Sequence, residues 1–76
     1  MINIQDIIPF MKEGWVAMDK NGEWWWYPVE PYMTSYDWLF RNDDSYKDAV
    51  PISTLFDIAP VDDWEKSLMR VEGNKK

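Results

Sequence analysis

The side chains of this chain that could do chemistry are its fourteen Asp and Glu residues, because it contains no histidine and no cysteine. That absence excludes Ser–His and Cys–His nucleophiles, zinc–thiolate sites and the commonest general base. With three glycines, a Gly-rich phosphate loop cannot be built. Carboxylate pairs arise by accident among so many acids, so they do not indicate a glycosidase-like couple. The sequence therefore predicts a protein that is not an enzyme and uses no cofactor.

Two groups of acids are candidate metal sites. With Asp19 at the first position of a calcium loop, the glycine required at the sixth position falls at the fourth, as Gly22. The twelfth position is Glu30, which lies beyond a predicted strand and a proline. Asp43, Asp44 and Asp48 could form an oxygen cluster, but a solvated acidic turn explains them more simply. No metal site is expected.

The acids are concentrated in one stretch of the chain. Residues 19–65 contain eleven acids and three bases, a local charge of −8 within a net charge of −6. Such a field repels nucleic acid and speeds the encounter with a basic protein surface. The alternative is that the charge only keeps an aromatic-rich chain soluble.

The stretch NGEWWWYP, residues 21–28, is the second notable feature. Successive side chains of a strand point to opposite faces, so three consecutive tryptophans place large aromatics on both faces. In one interpretation, a C-terminal segment with Trp38 and Trp64 buries the second face. In the other, tryptophans of the second face stay partly exposed beside acids, which is typical of a binding hot spot. The candidate partner-binding residues are Trp24, Trp26, Asp19, Glu23, Asp37, Asp43, Asp44, Asp62, Asp63 and Glu65.

A β-hairpin over residues 15–28 must position these side chains. Asn21-Gly22 between two extended runs predicts a two-residue type I′ turn. That turn sets Met18 opposite Trp25. One face then carries Val16, Met18, Trp25 and Tyr27, and the second face carries Trp15, Ala17, Trp24 and Trp26.

The remaining elements predict an α+β fold in a single domain, 1–76. The sheet is expected to be small and antiparallel, with three or four strands and short helices near both termini. The N-terminal element is a predicted helix over 3–13, which is capped by Asn3 or, better, Asp6 and ends at Gly14. Strands are predicted within 32–40 and 49–58, with Pro51 at an edge or bulge, and a polar turn over 41–48 lies between them. The C-terminal part is predicted to form a helical turn through Leu68, capped by Asp62, and a frayed tail over 71–76.

The pattern Trp15-x-Ala17-x-Asp19-x-Asn21-Gly22-x-Trp24-x-x-Tyr27-x-x-x-Pro31 resembles one that recurs in short proteins of tailed phages and prophages. The segment Asp63-Trp64-x-x-Ser67-Leu68 resembles the ending of that group. The resemblance covers residues 14–40 and 62–71 and implies a phage or prophage origin but no biochemical activity. In size, acidity and tryptophan content the chain is also similar to phage anti-defence proteins, including anti-CRISPRs.

These observations together predict a phage-encoded inhibitor that binds a host protein with a basic surface, such as a nuclease, as a nucleic-acid mimic. A nucleotide-binding sponge that stacks a base between tryptophans and a phage structural or assembly accessory protein are the alternatives. Direct nucleic-acid binding is not expected, because single-strand binders need a basic groove. The longest uncharged run has eight residues, far below the roughly 20 that span a bilayer. A cytoplasmic location in the host cell, without membrane contact, is expected.

Overall fold

The structure is a computed structural model that describes residues 1–39 and 49–73. Within these ranges it contains a four-stranded antiparallel sheet, a separate two-stranded hairpin, one short helix and three 3-10 turns. The strands are β1 (Gly14–Met18), β2 (Trp24–Tyr27), β3 (Tyr32–Met33), β4 (Trp38–Leu39), β5 (Val50–Pro51) and β6 (Met69–Val71). The helix is α1 (Ile4–Ile7), and the 3-10 turns are Ile8–Phe10, Ile52–Thr54 and Trp64–Lys66. The sheet order is β5-β2-β1-β6, which confirms the predicted α+β fold built on the 15–28 hairpin.

The turn between β1 and β2 has three residues, so the predicted two-residue type I′ loop is wrong. The N–H of Asp19 donates to the carbonyl of Glu23 at 2.8 Å, and the N–H of Gly22 donates to the carbonyl of Asp19 at 2.9 Å. Gly22 has φ +92°, and positive φ is confined to glycine among the residues described. Asn21 therefore lacks the conformation that type I′ requires. The geometry matches a type I turn followed by a glycine bulge.

The longer turn moves the hairpin register by one residue. Met18 lies opposite Trp24, and Val16 lies opposite Trp26. Because strand faces alternate, a slip of one residue moves every side chain of β2 to the other face. The predicted division of the tryptophans is therefore reversed. The face we call the helix face carries Val16, Met18, Trp24 and Trp26, and the face we call the Trp38 face carries Trp15, Ala17, Trp25 and Tyr27.

Both faces of the sheet are covered, as the first interpretation of the tryptophans predicts. The core on the helix face consists of Ile4, Val16, Met18, Trp24, Ile52, Ile58 and Val71. On the other face, Trp38 packs with Ala17 and Tyr27, and Trp64 packs against them. The Trp38 and Trp64 rings meet edge to face with centroids 6.5 Å apart, a favoured aromatic geometry.

The N-terminal helix is shorter than predicted. Asn3 caps it by accepting a hydrogen bond from the N–H of Gln5, so the preference for Asp6 is wrong. The α-helix ends at Ile7 and continues as a 3-10 turn that contains Pro9. Proline has no N–H to continue the helical hydrogen bonds. Gly14 opens β1 instead of ending a helix.

The strand predicted over 32–40 is divided into β3 and β4 by a tight turn. The hydroxyl of Thr34 donates to the Asp37 carboxylate at 2.6 Å and also accepts the N–H of Asp37. These local bonds compete with an extended strand. The fourth strand is only β5, with Pro51 at the sheet edge as expected, because the chain then turns at Ile52–Thr54.

The C-terminal segment differs from its prediction in two places. The cap of the 3-10 turn Trp64–Lys66 is Asp63, whose Oδ1 accepts the N–H of Glu65 at 3.1 Å, and not Asp62. Val71 belongs to β6 and is fully buried, so the prediction that fraying begins there is wrong. Pairing with β1 and a place in the core hold this residue. Residues 74–76 of the predicted tail lie outside the described ranges.

Gly22→Val is expected to lower the free energy of unfolding by more than about 1 kcal/mol, because a β-branched side chain does not readily take positive φ. Gly22→Asn is the matched control, since asparagine tolerates that conformation. Urea denaturation of both variants checks the turn. Equal stability of the Val and Asn variants would contradict the bulge geometry.

Candidate functional site

The acids of the hairpin turn lie against the acids of the β3–β4 turn. The backbone N–H of Trp38 donates to Oδ1 of Asp19 at 3.0 Å. The backbone N–H of Lys20 donates to the carbonyl of Tyr36 at 3.2 Å. Asp37 lies between these two contacts in the chain and is close enough to Asp19 to repel it. Glu23 repels Asp19 from the other side of the hairpin turn.

The acids near the C-terminus are held at the same end of the hairpin. The N–H of Val61 donates to the sulfur of Met18 at 3.4 Å, and the N–H of Met18 donates to Oγ of Ser67 at 2.8 Å. The segment between Val61 and Ser67 is thus anchored at both ends on the residue that precedes Asp19. We call the resulting surface the acidic end, and its acids are Asp19, Glu23, Asp37, Asp62, Asp63 and Glu65.

Most of the acidic end faces solvent. Glu23, Asp62, Asp63 and Glu65 are exposed, whereas Asp19 and Asp37 are partly buried. Lys20 and Lys66 are the bases that lie in these segments, and both are exposed. Among the described residues, none of these six acids is in an ion pair. The predicted site acids that the structure describes therefore lie on segments that are attached at the same end of the hairpin, with an excess of negative charge. Asp43 and Asp44 lie outside the described residues.

The two predicted site tryptophans do not belong to the acidic end. Trp24 is completely buried, with its indole N–H donating to the carbonyl of Ala59 at 3.2 Å. The prediction that Trp24 is exposed for contact is wrong, because the register shift places it in the core. Trp26 is partly exposed, but it lies on the helix face and donates its indole N–H to the carbonyl of Lys12 at 3.0 Å. Asp19 lies on the other side of the sheet.

Trp26 instead lines an apolar groove of about 250 Å³ on the helix face. Its other lining residues are Met11, Lys12, Val50, Ile52, Leu55 and Phe56. Large apolar side chains are exposed there, with Leu55 at 68%, and Phe10, at 87%, lines an adjoining cavity with Met11 and Phe56. Exposed apolar patches of this kind occur at interaction sites, but no residue of the acidic end lines this groove.

A different set of aromatic residues borders the acids. We call it the aromatic pocket, a cavity of about 200 Å³ lined by Asp19, Trp25, Tyr27, Asp37, Trp38, Leu39 and Ala49. Sequence reasoning missed Trp25 and Tyr27 because the predicted register assigned both to the other face. Asn-Gly is also compatible with a three-residue loop ending in glycine, so the turn residues alone do not choose between the two registers.

The walls of the aromatic pocket contain groups that are costly to bury. Burial raises the pKa of the Asp19 carboxyl; the hydrogen bond from the N–H of Trp38 lowers it, and the carboxylates of Asp37 and Glu23 raise it further. Burial, together with Asp19 and Asp37, also raises the pKa of the Tyr27 phenol, which stays protonated and donates to the Trp38 carbonyl at 3.0 Å. The buried indole N–H of Trp25 has no acceptor among the described residues.

Asp19→Asn is expected to stabilise the free protein at neutral pH, because it removes a partly buried charge and keeps an oxygen for the N–H of Trp38. The folded state raises the pKa of Asp19, so it binds the proton more tightly than the unfolded state. The difference in stability between the variant and wild type should therefore shrink as pH falls through the raised pKa of the folded state toward about 3.9, the ordinary pKa of an Asp side chain. Melting temperatures of both proteins between neutral pH and pH ~3.5 check this. A variant less stable than wild type at neutral pH would contradict it.

Within the described residues, no three acidic side chains are grouped closely enough to hold a metal ion. No helix in the same residues is long and apolar enough to cross a membrane. No protein-family model matches the chain, and neither a curated protein sequence nor a solved structure does. The geometry of the acidic end and of the aromatic pocket is therefore the basis for assigning a function.

Proposed function

We propose that the chain is a phage-encoded inhibitor that binds, without catalysis, the basic nucleic-acid-binding surface of a host protein in the cytoplasm. The observation that carries the proposal is the gathering of acids at one end of the fold. Asp62, Asp63 and Glu65 are distant in sequence from Asp19, Glu23 and Asp37, yet contacts through Met18 hold them at one end. Negative charges held on one surface imitate the phosphates that such a partner binds.

The charge of this end is large enough to act at a distance. The six acids and two bases of the acidic end leave it with a charge of −4. Charges of one sign on a surface raise association rates by roughly 10–10³-fold, and the effect falls with ionic strength. The screening length is about 8 Å at physiological salt. The acidic end therefore favours rapid and salt-sensitive association with a basic protein.

The aromatic pocket favours this proposal over a nucleotide sponge. Pockets for drug-sized ligands have volumes of about 300–1,000 Å³, whereas this cavity has about 200 Å³. The carboxylates of Asp19 and Asp37 in its wall would repel a phosphate group. Trp38 and Trp64 are nearly perpendicular, at 83°, and so cannot sandwich a base between them.

Two variants with equal net charge test the proposal in a capture experiment from host lysate. The end variant is Glu23→Gln, Asp62→Asn and Glu65→Gln, three exposed acids of the acidic end. The control variant is Asp6→Asn, Glu30→Gln and Asp57→Asn, three exposed acids outside it. Immobilised wild type and control variant are expected to retain the same nucleic-acid-binding protein, and salt or added DNA should release it.

The end variant should recover that protein at least about fivefold less well, because the field at the contact is reduced. Equal recovery by the end variant and the control variant would contradict the proposal. A nucleotide that copurifies with wild type would favour the sponge instead.

A further inference from the structure

The aromatic pocket has a composition that points to a particular ligand. Three aromatic side chains, Trp25, Tyr27 and Trp38, line it together with the carboxylates of Asp19 and Asp37. The face of an aromatic ring attracts a cation, most strongly for tryptophan, and carboxylates attract the same cation directly. Among the residues that the structure describes, no lysine or arginine lines the pocket. The cavity of about 200 Å³ has room for one side chain and is too small for a nucleotide.

The two carboxylates have capacity left for a ligand. Oδ1 of Asp19 accepts the N–H of Trp38, and one oxygen of Asp37 accepts the hydroxyl of Thr34. Each carboxylate has a second oxygen, and neither residue forms an ion pair within the part of the chain that the structure describes. A cation placed between them would relieve their mutual repulsion, which acts in the free protein.

Resting on the proposed function, we infer that the aromatic pocket binds the guanidinium group of an arginine on the basic partner. A guanidinium is planar and weakly hydrated, so it stacks on aromatic faces, and its forked donors can reach two carboxylates. An ammonium group is compact and strongly hydrated, which makes lysine the poorer ligand. The arginine would supply the short-range contact, and the exposed acids around the pocket would supply the long-range attraction.

The direct test is a titration with small peptides, followed through the indole N–H signals in two-dimensional NMR spectra. The probes are acetyl-Gly-Arg-Gly-amide, its lysine analogue, and its citrulline analogue, which has the same shape as arginine but no charge. The arginine peptide should shift the Trp25 and Trp38 signals saturably and leave the Trp24 signal unchanged. The citrulline peptide should bind at least about tenfold more weakly, because the cation–π and ionic contacts are lost. Equal binding of the arginine and citrulline peptides would overturn the inference.

Two matched variants keep the test specific. Asp19→Asn, which is expected to fold stably, should weaken arginine-peptide binding at least about fivefold. Asp6→Asn removes the same charge from the N-terminal helix and should bind as wild type does. Unchanged binding by Asp19→Asn would also overturn the inference.

Failure of the pocket and failure of the proposed function give different results. If the arginine peptide does not bind while the capture still depends on Glu23, Asp62 and Glu65, the pocket inference is wrong and the inhibitor proposal stands. If the peptide binds but the end variant and the control variant capture equally, the pocket is a cation site and the inhibitor proposal is wrong.

Discussion

Trp24→Ala should lower the free energy of unfolding by about 3–5 kcal/mol, the usual cost of removing a large aromatic side chain from a core. Trp24 has 0% of its surface exposed and packs among the core residues of the helix face. Its indole N–H donates to the carbonyl of Ala59, so truncation also leaves that carbonyl without this donor. A domain of this size has a total stability of about 4–11 kcal/mol, so the variant should lose a large fraction of it.

Trp25→Ala is the control that distinguishes the observed register from the register of a two-residue loop. Trp25 is the neighbouring tryptophan and is partly exposed in the aromatic pocket. It would occupy the core face if the hairpin had a two-residue loop. Urea denaturation of both variants, with Trp24→Phe as a milder third, should show a much larger loss for Trp24→Ala. A larger loss for Trp25→Ala would contradict the observed register.

The hairpin could be predicted from the sequence, but its register could not. Asn21-Gly22 is compatible with a two-residue type I′ turn and with a three-residue turn that ends in a glycine bulge. The hydrophobic pattern usually decides between registers, because a slip would expose apolar side chains. Here the hydrophobic pattern cannot decide, since Trp24, Trp25 and Trp26 place apolar side chains on both faces of the strand in either register. The run of three tryptophans therefore removes the alternation of apolar and polar residues that would show which side chains point to the core.

The acidic surface could be predicted only in part. Local composition showed that residues 19–65 carry the surplus of acids, but not which acids lie together. That arrangement depends on long-range contacts, such as the hydrogen bond between Met18 and Ser67. A serine forty-nine positions away is invisible to periodicity or turn signals. The aromatic pocket depends on a similar contact, because the hydrogen bond from the backbone N–H of Trp38 to Asp19 links the two residues across the pocket wall.

Association of the end variant with the captured partner should be about tenfold slower than association of wild type at low salt. The three acids replaced in that variant are exposed, so the fold should be unaffected. The control variant has the same net charge and should associate nearly as fast as wild type. Exposed acids around a contact act mainly on the association rate, so the dissociation rate should change less.

The measurement that tests the acidic end most directly is the association rate of the three proteins with that partner, from about 10 mM to 150 mM salt. The wild-type and control rates should fall steeply and in parallel as salt screens the field. The end-variant rate should be lower at low salt and should fall with a clearly shallower slope. Equal rates for the end variant and the control variant at every salt concentration would contradict the assignment of the acidic end as the partner-binding surface.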